Sequence, residues 1–213
     1  MNPVLEAEGI AFKYGQGPDV LAHWSHKFFP GEIVAITGPS GRGKSTLLYL
    51  LGLMLTPTSG QLLIEGESLA NVSDERKSWL RAKKYGFVFQ DAALDPKRPV
   101  RESITEAALY RGENPRAYEE RADELLEALG VSISPKAKPG QVSGGQAQRI
   151  ALCRAIIHQP SIILADEPTG NLDRNSGETV RRVFRAEAAR GASVLIVTHD
   201  QDLATSCDRQ IFL

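Results

Sequence analysis

Short, mostly apolar runs recur along the chain, and segments with helical periodicity separate them. Such runs are typical of parallel strands that are buried on both faces, and the segments between them are long enough for helices. The runs lie at residues 33–36, 85–89, 162–165 and 194–197, and a further strand is predicted just before residue 213. The clearest helical patterns lie at residues 44–55, 145–158 and 176–190. This alternation predicts an α/β fold built on a parallel sheet.

Two parts of the chain depart from this alternation. Residues 4–14 and 20–29 are predicted to be strands joined by a turn, and a short strand is predicted at residues 62–64. Further helices are predicted at residues 73–83, 102–110 and 115–129, the last with Asn114 as N-cap and Pro115 in its first position. We interpret the segment of about 90–141 as a helical subdomain inserted into one domain of residues 1–213.

Composition narrows the class of protein. The 213 residues have a formal net charge of −1, so no basic excess favours a nucleic-acid partner. The two cysteines, Cys153 and Cys207, are too few for a disulfide framework and favour a reducing cytosol. The densest apolar stretch, residues 47–55, is about half of the roughly 20 residues that a helix needs to cross a bilayer. We therefore expect no membrane-spanning segment.

A glycine-rich segment between the first buried strand and the next helix matches the complete P-loop pattern. Its glycines let the backbone bend around phosphate groups, and the helix N-terminus adds positive potential. We expect Lys44 to reach the β- and γ-phosphates of ATP and the Ser45 hydroxyl to bind Mg²⁺. The motif comprises Gly38, Pro39, Ser40, Gly41, Arg42, Gly43, Lys44 and Ser45, and Thr46 follows it as another nucleotide-binding candidate.

Two adjacent carboxylates end the apolar run at residues 162–165. Asp166 is expected to hold Mg²⁺ through water, in the Walker B role. Glu167 is expected to polarise the attacking water as a general base. Paired acids at a strand end are a weak signal alone, but a P-loop in the same chain makes them a strong one.

A small-residue segment precedes the helix predicted at residues 145–158. It offers a hydroxyl and free backbone N–H groups to an anion, although a plain Ser N-cap followed by glycines would look similar. The first interpretation is favoured by a resemblance to a known family, which extends to the position of the segment before Asp166 and to Gln148 and Arg149 on the same helix. The segment resembles the LSGGQ signature of ATP-binding-cassette (ABC) ATPases, with Val in place of the leading Leu. Its residues are Val142, Ser143, Gly144, Gly145 and Gln146.

This resemblance covers essentially the whole chain and implies a P-loop NTPase core, an N-terminal antiparallel β subdomain and a helical insert. It implies that Tyr14 stacks on adenine, although a packed strand tyrosine is the alternative. Gln90 resembles the Q-loop glutamine that touches Mg²⁺ and the lytic water, and His199 resembles the switch histidine that contacts the γ-phosphate. Asp173, in the D-loop-like segment Asn171-Leu172-Asp173, is implied to approach a partner subunit.

The resemblance also implies partners. In this family the P-loop of one subunit and the signature of a second enclose each ATP, so a single copy of each motif implies a dimer, predicted to be a homodimer. Because we expect no membrane span in this chain, we predict an ATPase subunit that powers a transmembrane permease on a separate polypeptide. The predicted location is the cytoplasmic face of the cell membrane, through that permease.

The type of transport is less constrained. Residues 85–90 and 168–173 resemble the MacB/LolD/FtsE-like group, which favours export or extraction of a drug, peptide, lipoprotein or haem. Asp95-Pro96 is more similar to some peptide importers, so import stays open. A soluble ABC ATPase that acts on DNA or ribosomes is less favoured, because a long coiled coil and a second cassette are missing. A small-molecule kinase does not explain residues 143–146.

The loop at residues 90–101 joins the nucleotide site to the helical insert. In the family this region forms a groove that receives a short cytoplasmic helix of the permease. Asp95, Pro96 and Val100 are therefore expected to shape a docking surface, and the alternative is an ordinary surface loop.

Overall fold

Strands and helices alternate in the computed structural model of the chain, which describes residues 2–134 and 136–213. Pro135, inside the predicted helical insert, lies outside the described residues. The strands are β1 (Leu5–Lys13), β2 (Asp19–Phe28), β3 (Ile33–Thr37), β4 (Ser59–Ile64), β5 (Glu67–Ser68), β6 (Tyr85–Val88), β7 (Ile162–Asp166), β8 (Ser193–Val197) and β9 (Arg209–Phe212). The helices are α1 (Lys44–Leu51), α2 (Asp74–Lys84), α3 (Val100–Thr105), α4 (Ala107–Tyr110), α5 (Glu119–Ala128), α6 (Gly144–Ile156), α7 (Arg174–Ala189) and α8 (Gln201–Thr205).

The central sheet is parallel throughout, with the strand order β6-β7-β8-β3-β9. Every residue of β3, β7 and β8 is buried, because α1 packs on one face of the sheet and α6 and α7 on the other. In the register of these strands, Val197 pairs with both Ile36 and Asp166, so their carboxyl ends lie side by side. The predicted α/β class with a parallel sheet is confirmed.

A second sheet is antiparallel, with the order β2-β1-β4-β5. Leu5 and Phe28 of this sheet are fully buried in the same apolar cluster as Val34 and Ile36 of the central sheet, so the two sheets share one core. The predicted N-terminal antiparallel sheet is therefore confirmed. Strand β4 begins at Ser59 rather than at residue 62, because its first residues are held by backbone pairing with β1, which a side-chain pattern does not reveal.

The region between β6 and α6 contains α3, α4 and α5. It packs on α6 through a second apolar cluster, which includes Ile104, Leu126 and Ile150. The helix predicted at residues 102–110 is instead the two short helices α3 and α4, and the chain tightens after Glu106 into i→i+3 bonds that end at Gly112. The helix predicted at residues 115–129 begins as a turn of 3₁₀ helix before α5, and Asn114 caps it by accepting from Arg116 N at 3.1 Å. None of the helices among the described residues is long and apolar enough to cross a membrane.

The burial of Val100 contradicts the prediction that this residue shapes a docking surface. Its side chain is fully buried, where it packs with Ile104 and Ala122 inside the helical region. Its N–H donates to Ala137 O at 2.8 Å, which ties the start of α3 to the segment that precedes α6. The prediction that Val100 shapes a docking surface is wrong, because apolar contact inside this region covers it on all sides.

A polar cluster around Glu113 ties the end of α2 to the helical region. The Glu113 carboxylate accepts from Lys83 Nζ at 3.0 Å, from Arg111 Nε at 3.0 Å and from Tyr118 Oη at 2.5 Å. The Arg111 guanidinium also donates to Lys83 O at 3.3 Å, at the carboxyl end of α2. The hydrogen bonds from Arg111, Tyr118 and Lys83 hold the pKa of Glu113 down, at about 2.

Glu113→Gln is therefore expected to lower the free energy of unfolding at neutral pH by about 1–2 kcal/mol. The pKa of Glu113 is lower in the folded chain than its ordinary value of 4.5. The ionised side chain therefore stabilises the folded state fully at pH values above 4.5, and this stabilisation is lost as the pH falls towards 2. Urea unfolding at about pH 7 and pH 3.5 measures the difference between the two proteins, which should narrow at the lower pH. Glu120→Gln, at an exposed position of α5, is the control, and a difference that does not change with pH would contradict the expectation.

Candidate active site

The P-loop lies between the carboxyl end of β3 and the start of α1. Gly38, Gly41 and Gly43 have positive φ angles of 148°, 79° and 84°, which residues with a side chain rarely adopt. A Cβ at Gly43 would also lie only 2.7 Å from Val20 Cγ1 and 3.2 Å from Val20 O, so any other residue here would force β2 and the loop apart. The glycines of the motif are thus required by the backbone path around this loop.

The start of α1 offers backbone donors to an anion. Helical bonding in α1 begins with Leu47 N, which donates to Gly43 O at 2.8 Å, so the N–H groups of residues 44–46 are not used inside the helix. The Lys44 ammonium donates to Gly38 O at 2.8 Å and to Pro39 O at 2.9 Å, and it therefore lies over the loop. Backbone donors and one fixed positive charge converge at this point, which suits a phosphate group.

Tyr14 lies beside this helix start. Its hydroxyl is 3.2 Å from Thr46 Oγ1, and its ring contacts the edge of Phe12 at a centroid distance of 4.8 Å. The side chain is 55% exposed, so one part of the ring is free for a flat ligand. The structure thus places Tyr14 and Thr46 together at the P-loop, and the stacking of adenine on Tyr14 stays a prediction.

Ser45, Gln90 and Asp166 line one cleft of about 650 Å³, although they come from three separate parts of the chain. Burial raises the pKa of the Asp166 carboxyl, a hydrogen bond from Ser45 lowers it, and the negative charge of Glu167 raises it further. A hydroxyl, an amide oxygen and a carboxylate are the oxygen ligands that Mg²⁺ prefers, and a cation would offset the burial of Asp166. The residues present therefore fit Mg²⁺.

Glu167 lies directly after β7 in a left-handed backbone conformation, with φ of 46°. Its N–H donates to Val197 O at 2.9 Å, and its side chain is 12% exposed. Oε1 accepts from His199 N at 3.0 Å and lies 2.7 Å from His199 Nδ1, while Oε2 accepts from Thr198 Oγ1 at 3.0 Å. The two predicted catalytic side chains, Glu167 and His199, are therefore in direct contact.

This contact constrains the imidazole of His199. A carboxylate can only accept hydrogen bonds, so Nδ1 must carry a proton where it faces Glu167. The imidazole is otherwise open to solvent, with 78% of the side chain exposed. The structure thus gives His199 a protein partner, and its contact with a γ-phosphate stays a prediction.

The signature-like segment forms the start of α6. Ser143 caps this helix by accepting from Gln146 N at 3.2 Å, and Gln146 Oε1 accepts from Ser143 N at 2.9 Å. Gly144 lines the same cleft as Ser45, whereas Ser143 is exposed next to it. A Cβ at Gly145 would lie 3.3 Å from Leu172 Cδ2, so this segment packs against the D-loop-like segment.

Asp173 caps α7 and does not face the cleft. It accepts from Ser176 N at 3.0 Å and from Ser176 Oγ at 2.7 Å, and these bonds hold its pKa below the usual range. Arg149 of α6 donates to the same Ser176 hydroxyl, so the start of α7 is tied to α6. The signature-like and D-loop-like segments therefore form one exposed edge of the molecule.

Three residues that the sequence did not single out as functional support these groups. Gln148 is buried on α6 and donates from Nε2 to Phe89 O at 2.9 Å, and Arg154 of the same helix donates to Ala92 O at 2.9 Å. They hold the backbone on both sides of Gln90. Thr198 contacts Glu167, as described above. Gln148 is noted above as part of the signature-like helix, and Arg154 and Thr198 are polar residues on a buried helix or at a strand end, but none of these signals reveals the hydrogen-bond partner.

Comparisons with known proteins agree with this geometry. The family model described as ABC transporter matches residues 21–170. The lipoprotein-releasing system ATP-binding protein LolD of Bordetella pertussis is 41% identical over 216 residues, covering 100% of this chain and 94% of that protein. The macrolide export ATP-binding/permease protein MacB of Nitrosomonas europaea is 41% identical over 215 residues, covering 99% of this chain but 33% of that protein.

Among solved structures, a dimeric bacterial ABC transporter cassette matches with a TM-score of 0.90 and 33% identity. The match covers 98% of this chain and 94% of that cassette, so both sheets and the helical region are included. The P-loop, the paired acids after β7, the signature-like segment and these likenesses converge on one conclusion. The chain belongs to the ABC transporter family, as an ATP-binding component with ATPase activity.

Proposed function

We propose that the chain binds Mg·ATP in the cleft at the carboxyl end of the central sheet and hydrolyses it to power a separate permease. The observation that carries this proposal is that Ser45, Gln90 and Asp166 line one cleft, and that Glu167 directly follows Asp166 in the chain. Three distant parts of the chain thereby supply phosphate-binding, metal-binding and proton-accepting groups in one place.

Each group of residues in the cleft has a separate role in this proposal. The loop N–H groups and Lys44 bind the phosphates, and the exposed ring of Tyr14 holds the adenine. Ser45, Gln90 and Asp166 hold Mg²⁺, which neutralises phosphate charge when it is bound. Glu167 orients the attacking water and takes its proton on the carboxylate.

A second copy of the chain completes each site in this proposal. Ser143 and Asp173 lie on the exposed edge formed by the starts of α6 and α7, and neither is among the residues that line the cleft with Ser45. The hydroxyl of Ser143 and the helix N-terminus of α6 offer donors to an anion from outside. A homodimer would place this edge against the phosphates bound by the partner, with two ATP between the subunits.

Export or extraction is the proposed direction of transport, because the LolD and MacB relatives carry those roles in their names. The feature that suggested import, Asp95-Pro96, has a local structural role. Asp95 Oδ1 accepts from Lys97 N at 2.9 Å, and the carboxylate lies 3.4 Å from the Arg98 guanidinium, so it stabilises its own turn. On this proposal the chain works at the cytoplasmic face of the membrane.

The division of the chain stays a prediction. We propose that residues of about 90–141 form a helical subdomain inserted into one domain of residues 1–213.

An apolar groove supports docking of the permease. It has a volume of about 540 Å³ and lies between the central sheet and the helical region. Met54 and Tyr110 at this groove are 40% and 73% exposed, and Leu109 beside Tyr110 is 56% exposed. Exposed apolar side chains around a concave surface mark a site for another protein. We propose that a short cytoplasmic helix of the permease binds here, rather than at Val100.

Tyr110→Asp is expected to reduce capture of the permease at least about tenfold, because the added charge would be buried against an apolar partner. Basal ATP hydrolysis by the isolated chain should remain, since Lys44 and Glu167 are unchanged. The tagged chain is used to capture membrane proteins from solubilised native membranes, and ATPase activity is measured with and without them. Ala117→Asp, which adds the same charge at an exposed position outside the groove, is the control. Failure of an ATPase-active wild-type chain to recover any multispanning protein would contradict the transport proposal.

A further inference from the structure

Thr198, which follows β8, connects Glu167 to the central sheet. Its side chain is fully buried, and its N–H donates to Ile36 O of β3 at 3.2 Å. Its hydroxyl accepts from Asp200 N at 3.0 Å, next to the start of α8. The backbone of Thr198 is therefore tied to β3, and its Oγ1 cannot rotate away without losing the bond from Asp200 N.

The direction of the hydrogen bond to Glu167 follows from these contacts. The carboxylate of Glu167 can only accept, so the Thr198 hydroxyl donates its proton to Oε2, at 3.0 Å. Its lone pair meanwhile accepts the N–H of Asp200, so the hydroxyl is satisfied on both sides. Among the described residues, Glu167 Oε2 is the acceptor that this hydroxyl faces, and the bond holds Oε2 on the side of Thr198.

The two oxygens of Glu167 are left unequal by this arrangement. Oε1 faces two groups of His199, its backbone N and Nδ1, whereas Oε2 is held by Thr198. A carboxylate has about four acceptor positions, two on each oxygen. Oε2 therefore keeps one position for a water molecule, and Thr198 determines where that position points.

We propose that Thr198 is a positioning residue, which orients Oε2 of Glu167 to take the proton of the attacking water. This inference rests on the proposed ATPase function and on Glu167 as its base. The backbone N–H of His199 donates to the other oxygen, Oε1, so it does not set the direction of the acceptor position that stays free on Oε2. Misorientation of the base lowers the rate of the chemical step and leaves nucleotide binding unchanged.

Thr198→Val removes the hydroxyl and keeps the shape of the side chain. We expect kcat for ATP hydrolysis to fall about tenfold while KM for ATP changes less than about twofold. Thr198→Ser restores the donor and should bring kcat back to within about twofold of wild type. Thr105→Val is the matched control, because Thr105 is also buried and its hydroxyl donates to Arg101 O, at 3.2 Å, in the helical region. Thermal unfolding of each variant separates loss of fold from loss of orientation.

A double-mutant cycle with Glu167→Ala tests whether Thr198 acts through Glu167. If it does, adding Thr198→Val to Glu167→Ala leaves the small residual rate of phosphate release unchanged. The positioning role is overturned if Thr198→Val lowers the rate by the same factor in both backgrounds, or if folded Thr198→Ser stays as slow as Thr198→Val. A wild-type chain without ATPase activity, or full turnover by Glu167→Ala, would instead overturn the proposed function, and the role of Thr198 with it.

Discussion

Glu167→Gln is expected to slow ATP hydrolysis by about 100-fold or more, the usual scale for loss of a general base, while ATP still binds. The amide has nearly the shape of the carboxylate but cannot accept a proton from water at neutral pH. Lys44, Ser45 and Asp166 are unchanged, so the phosphate and Mg²⁺ contacts proposed for them remain. In the proposed homodimer, hydrolysis would then no longer separate the subunits, so an ATP-bound dimer should accumulate.

Three measurements check this expectation for Glu167. Phosphate release gives the turnover, binding of a fluorescent ATP analogue gives the affinity, and light scattering with and without ATP gives the oligomeric state. Glu124→Gln, which makes the same chemical change at an exposed position of α5, should behave as wild type. Unchanged turnover in Glu167→Gln would remove Glu167 from the catalytic role.

Lys44→Ala is expected to abolish measurable ATPase activity and to weaken nucleotide binding. The ammonium is the charge that lies directly over the loop, within 2.8 Å of Gly38 O and 2.9 Å of Pro39 O. Arg42 is in the same loop but is exposed at its surface, so we expect it not to replace Lys44. The substitution removes both the phosphate contact and two bonds that hold the loop in its shape.

The Lys44 experiment therefore needs a readout of the fold as well as of activity. Circular dichroism and thermal unfolding should show that Lys44→Ala stays folded, since α1 and the central sheet do not depend on this side chain. Lys97→Ala, at an exposed loop position, is the control for removal of a lysine and should keep full turnover. Full activity in folded Lys44→Ala would mean that the P-loop assignment is wrong.

The elements of the central sheet could be predicted because each is a local pattern. The residues of β3, β7 and β8 are apolar except for one polar residue at an end of each strand, Thr37, Asp166 and Ser193, and burial on both faces of a parallel strand favours this composition. The helical region was predicted less well. The i→i+3 bonds after Glu106 and the 3₁₀ turn at Pro115–Tyr118 are choices of backbone hydrogen bond that side-chain periodicity does not distinguish.

The burial of Val100 shows a different limit. Val100 follows a loop that contains Pro96 and Pro99, and such a position is usually at the surface. Its side chain is instead buried in an apolar cluster with Ile104 and Ala122. The approach of α5 to α3 decides this, and no local pattern records it. The groove around Met54 and Tyr110 likewise exists only because the helical region packs beside α2 and β6.

The sequence by itself determined the chemistry of the site: a P-loop, paired acids after a buried strand and a signature-like helix start. These features depend on neighbours in the chain, such as the glycines that allow positive φ at Gly38 and Gly43. Only the tertiary structure decided that Glu167 is held by Thr198 and His199, and that Gln148 and Arg154 hold the backbone around Gln90. The physical reason is that a hydrogen bond between residues far apart in the chain forms only after parallel strands and helices have been packed, and the identity of one partner does not specify the other.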